Sequence, residues 1–151
     1  MSQEMLDAAL ALAGQGVPVF PCEPMGKRPA TVHGFKDATT DEAQIRAWFD
    51  ASPEADIGFN LACPTGVAFD VIDVDGLAGI QALEEWAEGQ PDIVRYIEPT
   101  VLTPSGGYHI YVPCSGIGNK VGWIPHCDFR STGGYVVVPP SVTEKGRYLW
   151  A

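Results

Sequence analysis

Three aspartates lie within six residues in the stretch VAFDVIDVDG, residues 67–76. Side chains on a strand alternate between its two faces, so Asp73 and Asp75 share one face and Asp70 points to the other. Two carboxylates a few ångströms apart repel each other unless a cation lies between them. Because all the donors are oxygens, the pattern predicts a site for Mg²⁺ or Mn²⁺ at the tip of a buried strand.

The Asp-x-Asp-Gly pattern by itself does not settle the role of these acids. They could be solvated turn residues next to a helix cap. An EF-hand is excluded by spacing: with Gly76 as its sixth residue, the first is Val71 and the twelfth is Ala82, and neither carries a ligand. Haloacid-dehalogenase-like phosphatases also place this pattern after an apolar strand, but with Thr where this chain has Leu77. A phosphohydrolase of that type is the alternative enzyme class.

A second group of candidate residues is the stretch TPSGGYHIYV, residues 103–112. Gly106 and Gly107 allow close approach of the backbone to a ligand, and Gly107, His109 and Tyr111 share a strand face. A strand histidine after small residues can hold a phosphate or a metal, or it can be a structural histidine with ordinary partners.

A third group is HCDFRSTGGYVVVPPS, residues 126–141. Asp128 and Arg130 share a strand face, which is the pattern of a simple ion pair. Beside an open metal site, the same pair offers a third carboxylate and a fixed cation for a triphosphate. The amides of Gly133 and Gly134 could add anion-binding N–H groups.

The surrounding pattern predicts the elements that position these residues. Helical spacing and caps indicate helices over 3–14, from a Thr39–Glu42 capping box through Phe49, and over 76–89. Short apolar stretches indicate strands over 17–20, 56–62 and 66–75. A series of further strands follows, separated by Gly- and Pro-rich turns. Helices dominate the first half and strands the second, which predicts an α/β or α+β domain with a mixed sheet.

Composition limits the function classes. The 151 residues suit one domain with its own core, and 46% apolar with 19% charged residues indicate a globular chain. No apolar run is long enough to span a bilayer, and the N-terminus lacks a signal peptide, so we expect a cytoplasmic protein without a membrane partner. The net charge of −10 argues against a surface that coats nucleic acid, unless a local basic groove or a bound metal reverses the field.

The four cysteines, Cys22, Cys63, Cys114 and Cys127, show no CxxC spacing and are expected to be reduced, mostly buried residues. One possible zinc set is His109, Cys114, His126 and Cys127. Their spacing matches none of the common zinc patterns, so zinc is not expected.

The ordered motifs resemble the archaeo-eukaryotic primase superfamily, and within it the bifunctional primase/polymerase (prim-pol) domain of plasmid and phage replication proteins. In chain order, the motifs are GKRPATVHGFKDATTD, IGFN, DVDG, SGGYHIYV, DFRSTGGYVVVPPS and GRYLW. The resemblance covers nearly the whole chain. It implies a mainly antiparallel sheet flanked by helices, with a catalytic half like an RNA-recognition motif, in one domain over residues 1–151.

The resemblance also implies residue roles. Asp73, Asp75 and Asp128 would hold two catalytic Mg²⁺ or Mn²⁺ ions. His109 and Arg130 would contact the triphosphate of the incoming nucleotide. Ser105 could supply the hydroxyl that is missing because Gly107 stands where the family has serine. Lys27 and Arg28 would add positive charge near the nucleotide or template.

The activity implied is template-directed primer synthesis or extension from nucleoside triphosphates on single-stranded or primed DNA. The family's domain normally continues beyond the YLW region, so we expect a fragment of a longer replication protein with a fused or associated helicase. The alternative within this resemblance is an inactive nucleotide- or DNA-binding module.

Overall fold

The computed structural model describes residues 2–49, 58–90 and 98–151. The chain divides into two compact units. The first comprises Met1–Pro64 and Tyr135–Tyr148, and the second comprises Thr65–Gly134 and Leu149–Ala151. The single domain over residues 1–151 stays a prediction.

The helices are α1 (Ser2–Gly14), α2 (Glu42–Phe49) and α3 (Gly76–Glu88), with a 3-10 turn at Gly34–Asp37. The strands are β1 (Phe20–Cys22), β2 (Asn60–Pro64), β3 (Asp70–Val74), β4 (Val101–Leu102), β5 (Tyr108–Val112), β6 (Lys120–Ile124), β7 (Cys127–Arg130), β8 (Tyr135–Val137), β9 (Val142–Thr143), β10 (Gly146–Arg147) and β11 (Leu149–Trp150).

The first unit is built on a three-stranded antiparallel sheet in the order β1-β2-β8, with the hairpin β9–β10 following in the chain. Helix α2 begins where Asp41, not Thr39, caps it: the Asp41 carboxylate accepts the Gln44 N–H at 3.2 Å. The Thr39 hydroxyl instead accepts the Asp41 N–H at 3.0 Å, which fixes the turn before the helix. The predicted capping box was therefore two residues early, because Asp41 is an equally good cap and lies next to the helix.

The second unit contains a six-stranded sheet in the order β11-β4-β5-β3-β7-β6. Every pair of neighbours in it is antiparallel. Strand β3 lies in its interior, between β5 and β7. Residues from three segments that are distant in the sequence are therefore neighbours in the sheet.

One face of this sheet packs against α3. The buried cluster there consists of Ile72, Val74, Leu83, Ile110 and Cys127. The strand residues alternate with those of the opposite face, as the period of two requires. Burying an aliphatic side chain of this size contributes about 1.5–3 kcal/mol, so this face fixes the register of β3. Truncation of fully buried Leu83 to Ala would cost roughly 2–5 kcal/mol.

The predicted fold class is confirmed: the chain is α+β with antiparallel sheets. Strand β6 was not predicted. It is an edge strand, largely exposed, and Gly122 interrupts it with a φ of +62°, so it has no alternating pattern to detect. In the described ranges, no helix has the length and apolarity needed to cross a bilayer.

Candidate active site

The centre of the site is Asp73 on β3. Asp73 lies directly opposite His109 of β5 on one side and directly opposite Asp128 of β7 on the other. Directly opposed residues of antiparallel strands project to the same face. Three neighbouring strands therefore bring two carboxylates and an imidazole together, on the face opposite to the α3 core.

Arg130 lies between the two carboxylates. Its Nε and Nη2 donate to Asp73 Oδ2 at 3.1 and 3.0 Å. The same Nη2 lies 3.6 Å from Asp128 Oδ2, and His109 Nε2 lies 3.4 Å from Asp73 Oδ1. The guanidinium thus offsets the repulsion that two opposed carboxylates on adjacent strands would otherwise have.

The ionisation of Asp73 follows from these contacts. Burial is the largest influence and favours the neutral acid. The hydrogen bond and charge of His109, followed by the charge and hydrogen bond of Arg130, together outweigh it and lower the pKa of Asp73 to about 2. The carboxylate is therefore ionised at neutral pH. Its side chain is 26% exposed, so a ligand can still reach it.

The negative charges of all three acids affect the pKa of the Cys127 thiol. Its pKa is raised to about 11, first by burial and then by the negative charge of Asp73, Asp128 and Asp75, in that order. All three predicted metal ligands therefore lie close enough to one thiol to act on it. Cys127 itself is buried and donates to the Gly79 carbonyl at 3.4 Å, so it stays a protonated structural residue.

Asp75 differs in position from the other two acids. Strand β3 ends at Val74, and Asp75 is the residue that caps α3, with its N–H donating to the His126 carbonyl at 2.9 Å. Its side chain is exposed and makes no capping hydrogen bond. The backbone of Asp75 is still extended, with φ −91° and ψ 101°, and Gly76, with a φ of +64°, then turns the chain into the helix. That Asp73 and Asp75 share one face stays a prediction.

Ser105 and Gly107 lie in the turn between β4 and β5. The Ser105 hydroxyl is exposed and lies 3.3 Å from that of Thr103. At Gly107 the backbone passes so close to the end of β3 that a Cβ would overlap the Val74 carbonyl oxygen and lie 2.6 Å from the Gly76 nitrogen. No side chain fits there, which explains why this chain has glycine at that position.

The loop after β7 is occupied by internal hydrogen bonds. The Gly134 N–H donates to the Ser131 carbonyl at 3.1 Å, so the expectation that both glycine amides could bind an anion is not met at Gly134. Asn119 accepts the Ser131 N–H at 2.8 Å and holds this loop. No periodic signal in the sequence points to Asn119, since it lies between turn residues.

Asp70 is a second residue to which the sequence patterns assigned no role. It is fully buried, and its Oδ2 accepts the N–H of Ser115 at 2.8 Å and its hydroxyl at 2.5 Å. Asp70 shares the core face of β3 with Ile72 and Val74. A carboxylate on that face needs such a partner, so the pattern of the strand could have indicated a structural role for Asp70. The bond fixes the segment after β5 to the start of β3.

Lys27 and Arg28 belong to the first unit, not to the unit that contains Asp73. Both side chains are exposed, and their backbone is held in a tight loop after β1. The Lys27 carbonyl accepts the Tyr135 hydroxyl at 2.9 Å.

The donor chemistry at Asp73 suits a hard divalent cation, since carboxylate oxygens are the preferred ligands of Mg²⁺ and Mn²⁺. Within residues 2–49, 58–90 and 98–151, no three His, Cys, Asp or Glu side chains are arranged to hold one ion. Arg130 is instead the partner of both carboxylates, Asp73 and Asp128.

A comparison with protein families gives a match over nearly the whole chain. The Prim-Pol model, described as bifunctional DNA primase/polymerase, N-terminal, matches residues 9–151. The chain belongs to the Prim-Pol family. The resemblance seen in the sequence motifs is thereby confirmed, and it supports a DNA primase/polymerase role for this Prim-Pol domain. A comparison with curated proteins gives no match.

Proposed function

We propose that this Prim-Pol domain transfers nucleotides from nucleoside triphosphates to a primer on a DNA template, with Mg²⁺ or Mn²⁺ bound at Asp73, Asp75 and Asp128. The observation that carries the proposal is the position of Asp73, directly opposite Asp128 on one side and His109 on the other. The family is one of DNA primases and polymerases, and carboxylates brought together in this way could hold the divalent cations that assist nucleotidyl transfer.

The carboxylates supply the negative charge that holds divalent cations. Such ions activate the primer hydroxyl and stabilise the leaving pyrophosphate when they are bound. Asp73 is already ionised at neutral pH, because its pKa lies at about 2. Asp128 Oδ1 accepts the Gly122 N–H at 2.8 Å, which fixes the orientation of that carboxylate. Asp75 is exposed and can join them without breaking a capping hydrogen bond.

His109 and Arg130 bind the triphosphate in this proposal. His109 is buried between strands, so its Nε2 is held in place beside Asp73. Arg130 is the residue that must change partner. With a divalent cation held by Asp73 and Asp128, the guanidinium would be free to bind phosphate, for which its planar set of donors is well suited. Ser105, exposed in the turn before His109, is a further candidate phosphate contact.

The template and the cellular setting are part of the same proposal. We expect single-stranded or primed DNA as the partner, a fused or associated helicase, and a cytoplasmic location. The family match favours this chemistry over that of a dehalogenase-type phosphohydrolase.

Primer extension with Mg²⁺ or Mn²⁺ tests the proposal. We expect extension by the wild-type chain and its loss in Asp73→Asn and Asp128→Asn, since each change removes a charged ligand. Glu85→Gln is the matched control, because it removes the same charge from an exposed position on α3. Extension that survives in Asp73→Asn would contradict the assignment of the site.

A second candidate function is nucleotide binding without transfer. It is favoured by one observation: the guanidinium of Arg130 already pairs with both Asp73 and Asp128. Nucleotide binding by the wild-type chain, with no incorporation at any concentration of Mg²⁺ or Mn²⁺, would identify this function.

A further inference from the structure

The loop after β1 carries two exposed cations on a fixed backbone. The Glu23 N–H donates to the Arg28 carbonyl at 2.7 Å and closes the loop, and the Ala30 N–H donates to the Pro21 carbonyl at 2.9 Å. Lys27 and Arg28 lie at the end of this closed loop. Their backbone is therefore held in one conformation.

A second pair of cations lies on the hairpin β9–β10. Lys145 is in the turn, where its N–H donates to the Thr143 hydroxyl at 3.3 Å. Arg147 is on β10, directly opposite Val142 of β9. Both side chains are exposed.

One buried side chain joins these two segments. Asn60 is 3% exposed, and its Nδ2 donates to the carbonyls of Gly26 and Val142, both at 2.8 Å. Its Oδ1 accepts the Val142 N–H at 3.0 Å. The loop with Lys27 and the hairpin with Arg147 are therefore both fixed to one amide. A buried amide with all of these bonds satisfied holds its neighbours rigidly.

The joined segments form a local excess of positive charge in an acidic chain. We name Lys27, Arg28, Lys145 and Arg147 the basic cluster; the acids in the same two segments are Glu23 and Glu144. In the part of the chain that the structure describes, none of the four cations forms an ion pair. Fixed cations without acidic partners are suited to an anionic ligand with regularly spaced charges.

We infer that the basic cluster binds the sugar–phosphate backbone of single-stranded DNA. The inference rests on the proposed function only in taking DNA as the partner, and it assigns to Lys27 and Arg28 a ligand other than the nucleotide. It adds Lys145 and Arg147 as contacts and Asn60 as the positioning residue. It also resolves the conflict between DNA binding and a net charge of −10, because the phosphates meet a local field of opposite sign.

The salt dependence of DNA binding tests this assignment. Fluorescence anisotropy of a labelled single-stranded oligonucleotide is measured in EDTA at a series of salt concentrations, for wild type and for Arg28→Ala/Arg147→Ala. On single strands each phosphate contact contributes about 0.7 to the slope of log K against log salt, so the double variant should lose about 1.4 of that slope. At a salt concentration of about 0.1 M the same loss corresponds to roughly 25-fold weaker binding.

The matched control is Lys36→Ala/Arg46→Ala, which removes two exposed cations from elsewhere in the first unit. The control should keep the wild-type slope. Equal loss in both double variants would overturn the assignment, since the net charge alone would then explain it, and so would an unchanged slope in Arg28→Ala/Arg147→Ala. Thermal melts of all variants identify any loss of DNA binding that is due to unfolding. In that case the single variant Arg147→Ala, in an exposed hairpin, repeats the measurement, and its slope should change by about 0.7.

Nucleotide binding separates the two phosphate sources. Binding of a nucleoside triphosphate with Mn²⁺ should be unchanged in Arg28→Ala/Arg147→Ala. If triphosphate binding is lost and the DNA slope is kept, the basic cluster is a triphosphate site and the inference is wrong. Because the DNA measurement is made in EDTA, it can succeed even if primer extension at Asp73 fails, and the reverse also holds.

Discussion

The ionisation of Asp73 makes a quantitative prediction about stability. Its pKa is about 2 in the folded chain, against an ordinary value of 3.8. Each pKa unit corresponds to about 1.4 kcal/mol, so ionised Asp73 contributes about 2 kcal/mol to the free energy of unfolding. Because the folded pKa is the lower one, this contribution is fully present above pH 3.8 and is lost as the pH falls through 2.

The variant Asp73→Asn removes this titration. The stability difference between wild type and variant should shrink by more than half between about pH 6 and pH 2.5, where only about a third of the carboxylate's contribution remains. Urea unfolding followed by circular dichroism at a series of pH values measures it. Glu85→Gln, at an exposed position, should show a difference that barely changes with pH. A difference for Asp73→Asn that stays constant or grows as the pH falls would refute the proposed His109 and Arg130 contacts.

Three further predictions concern other parts of the second unit. In calorimetry, Arg130→Gln should bind Mn²⁺ several-fold more tightly, because the competing guanidinium is gone. It should extend primers less, because the triphosphate loses a contact. Weaker Mn²⁺ binding would contradict the position of Arg130 between the acids. Gly107→Ala should lose more than about 3 kcal/mol of stability or fail to fold, whereas Gly14→Ala, with open space around it, should change stability by less than about 1 kcal/mol; equal effects in chemical denaturation would refute the close approach. Ser115→Ala should cost about 1–3 kcal/mol in the same assay, because it takes the hydroxyl donor away from the fully buried Asp70 carboxylate; a neutral Ser115→Ala would contradict that contact.

The sequence was sufficient to predict the strand that carries Asp73 and the helix that follows it. The stretch was predicted to be a buried strand, and its apolar residues Val71, Ile72 and Val74 are buried. Alternation also placed Asp70 on the opposite face from Asp73, but it could not identify Ser115 as the partner of Asp70. That contact joins residues 45 positions apart, and no local pattern encodes it.

The candidate site was also predictable only in part. The residue types and their order in the chain indicated the candidate acids and cations. In the structure, the pairing of β3 with β5 and β7 brings Asp73, His109 and Asp128 together. The contact of Arg130 with Asp73 depends on the register of the strands, which sequence patterns do not give. The metal and nucleotide roles of these residues stay predictions.

The first unit was the part least open to prediction. Its sheet joins β2 to β8, which are separated by about half the chain, and its basic cluster is held together by the side chain of Asn60. An asparagine inside a short strand has no sequence signature that distinguishes such a bridge from an ordinary turn residue. The link between the two basic segments can be recognised only from the hydrogen bonds of this buried amide.

The most direct test of the central claim is a crystal structure of this Prim-Pol domain with Mn²⁺ and a non-hydrolysable nucleoside triphosphate. We expect anomalous peaks for Mn²⁺ next to the carboxylates of Asp73 and Asp128, with Arg130 moved from Asp73 to the triphosphate and His109 in contact with it. Manganese bound elsewhere, or Arg130 still between the two carboxylates with the nucleotide in place, would contradict the claim.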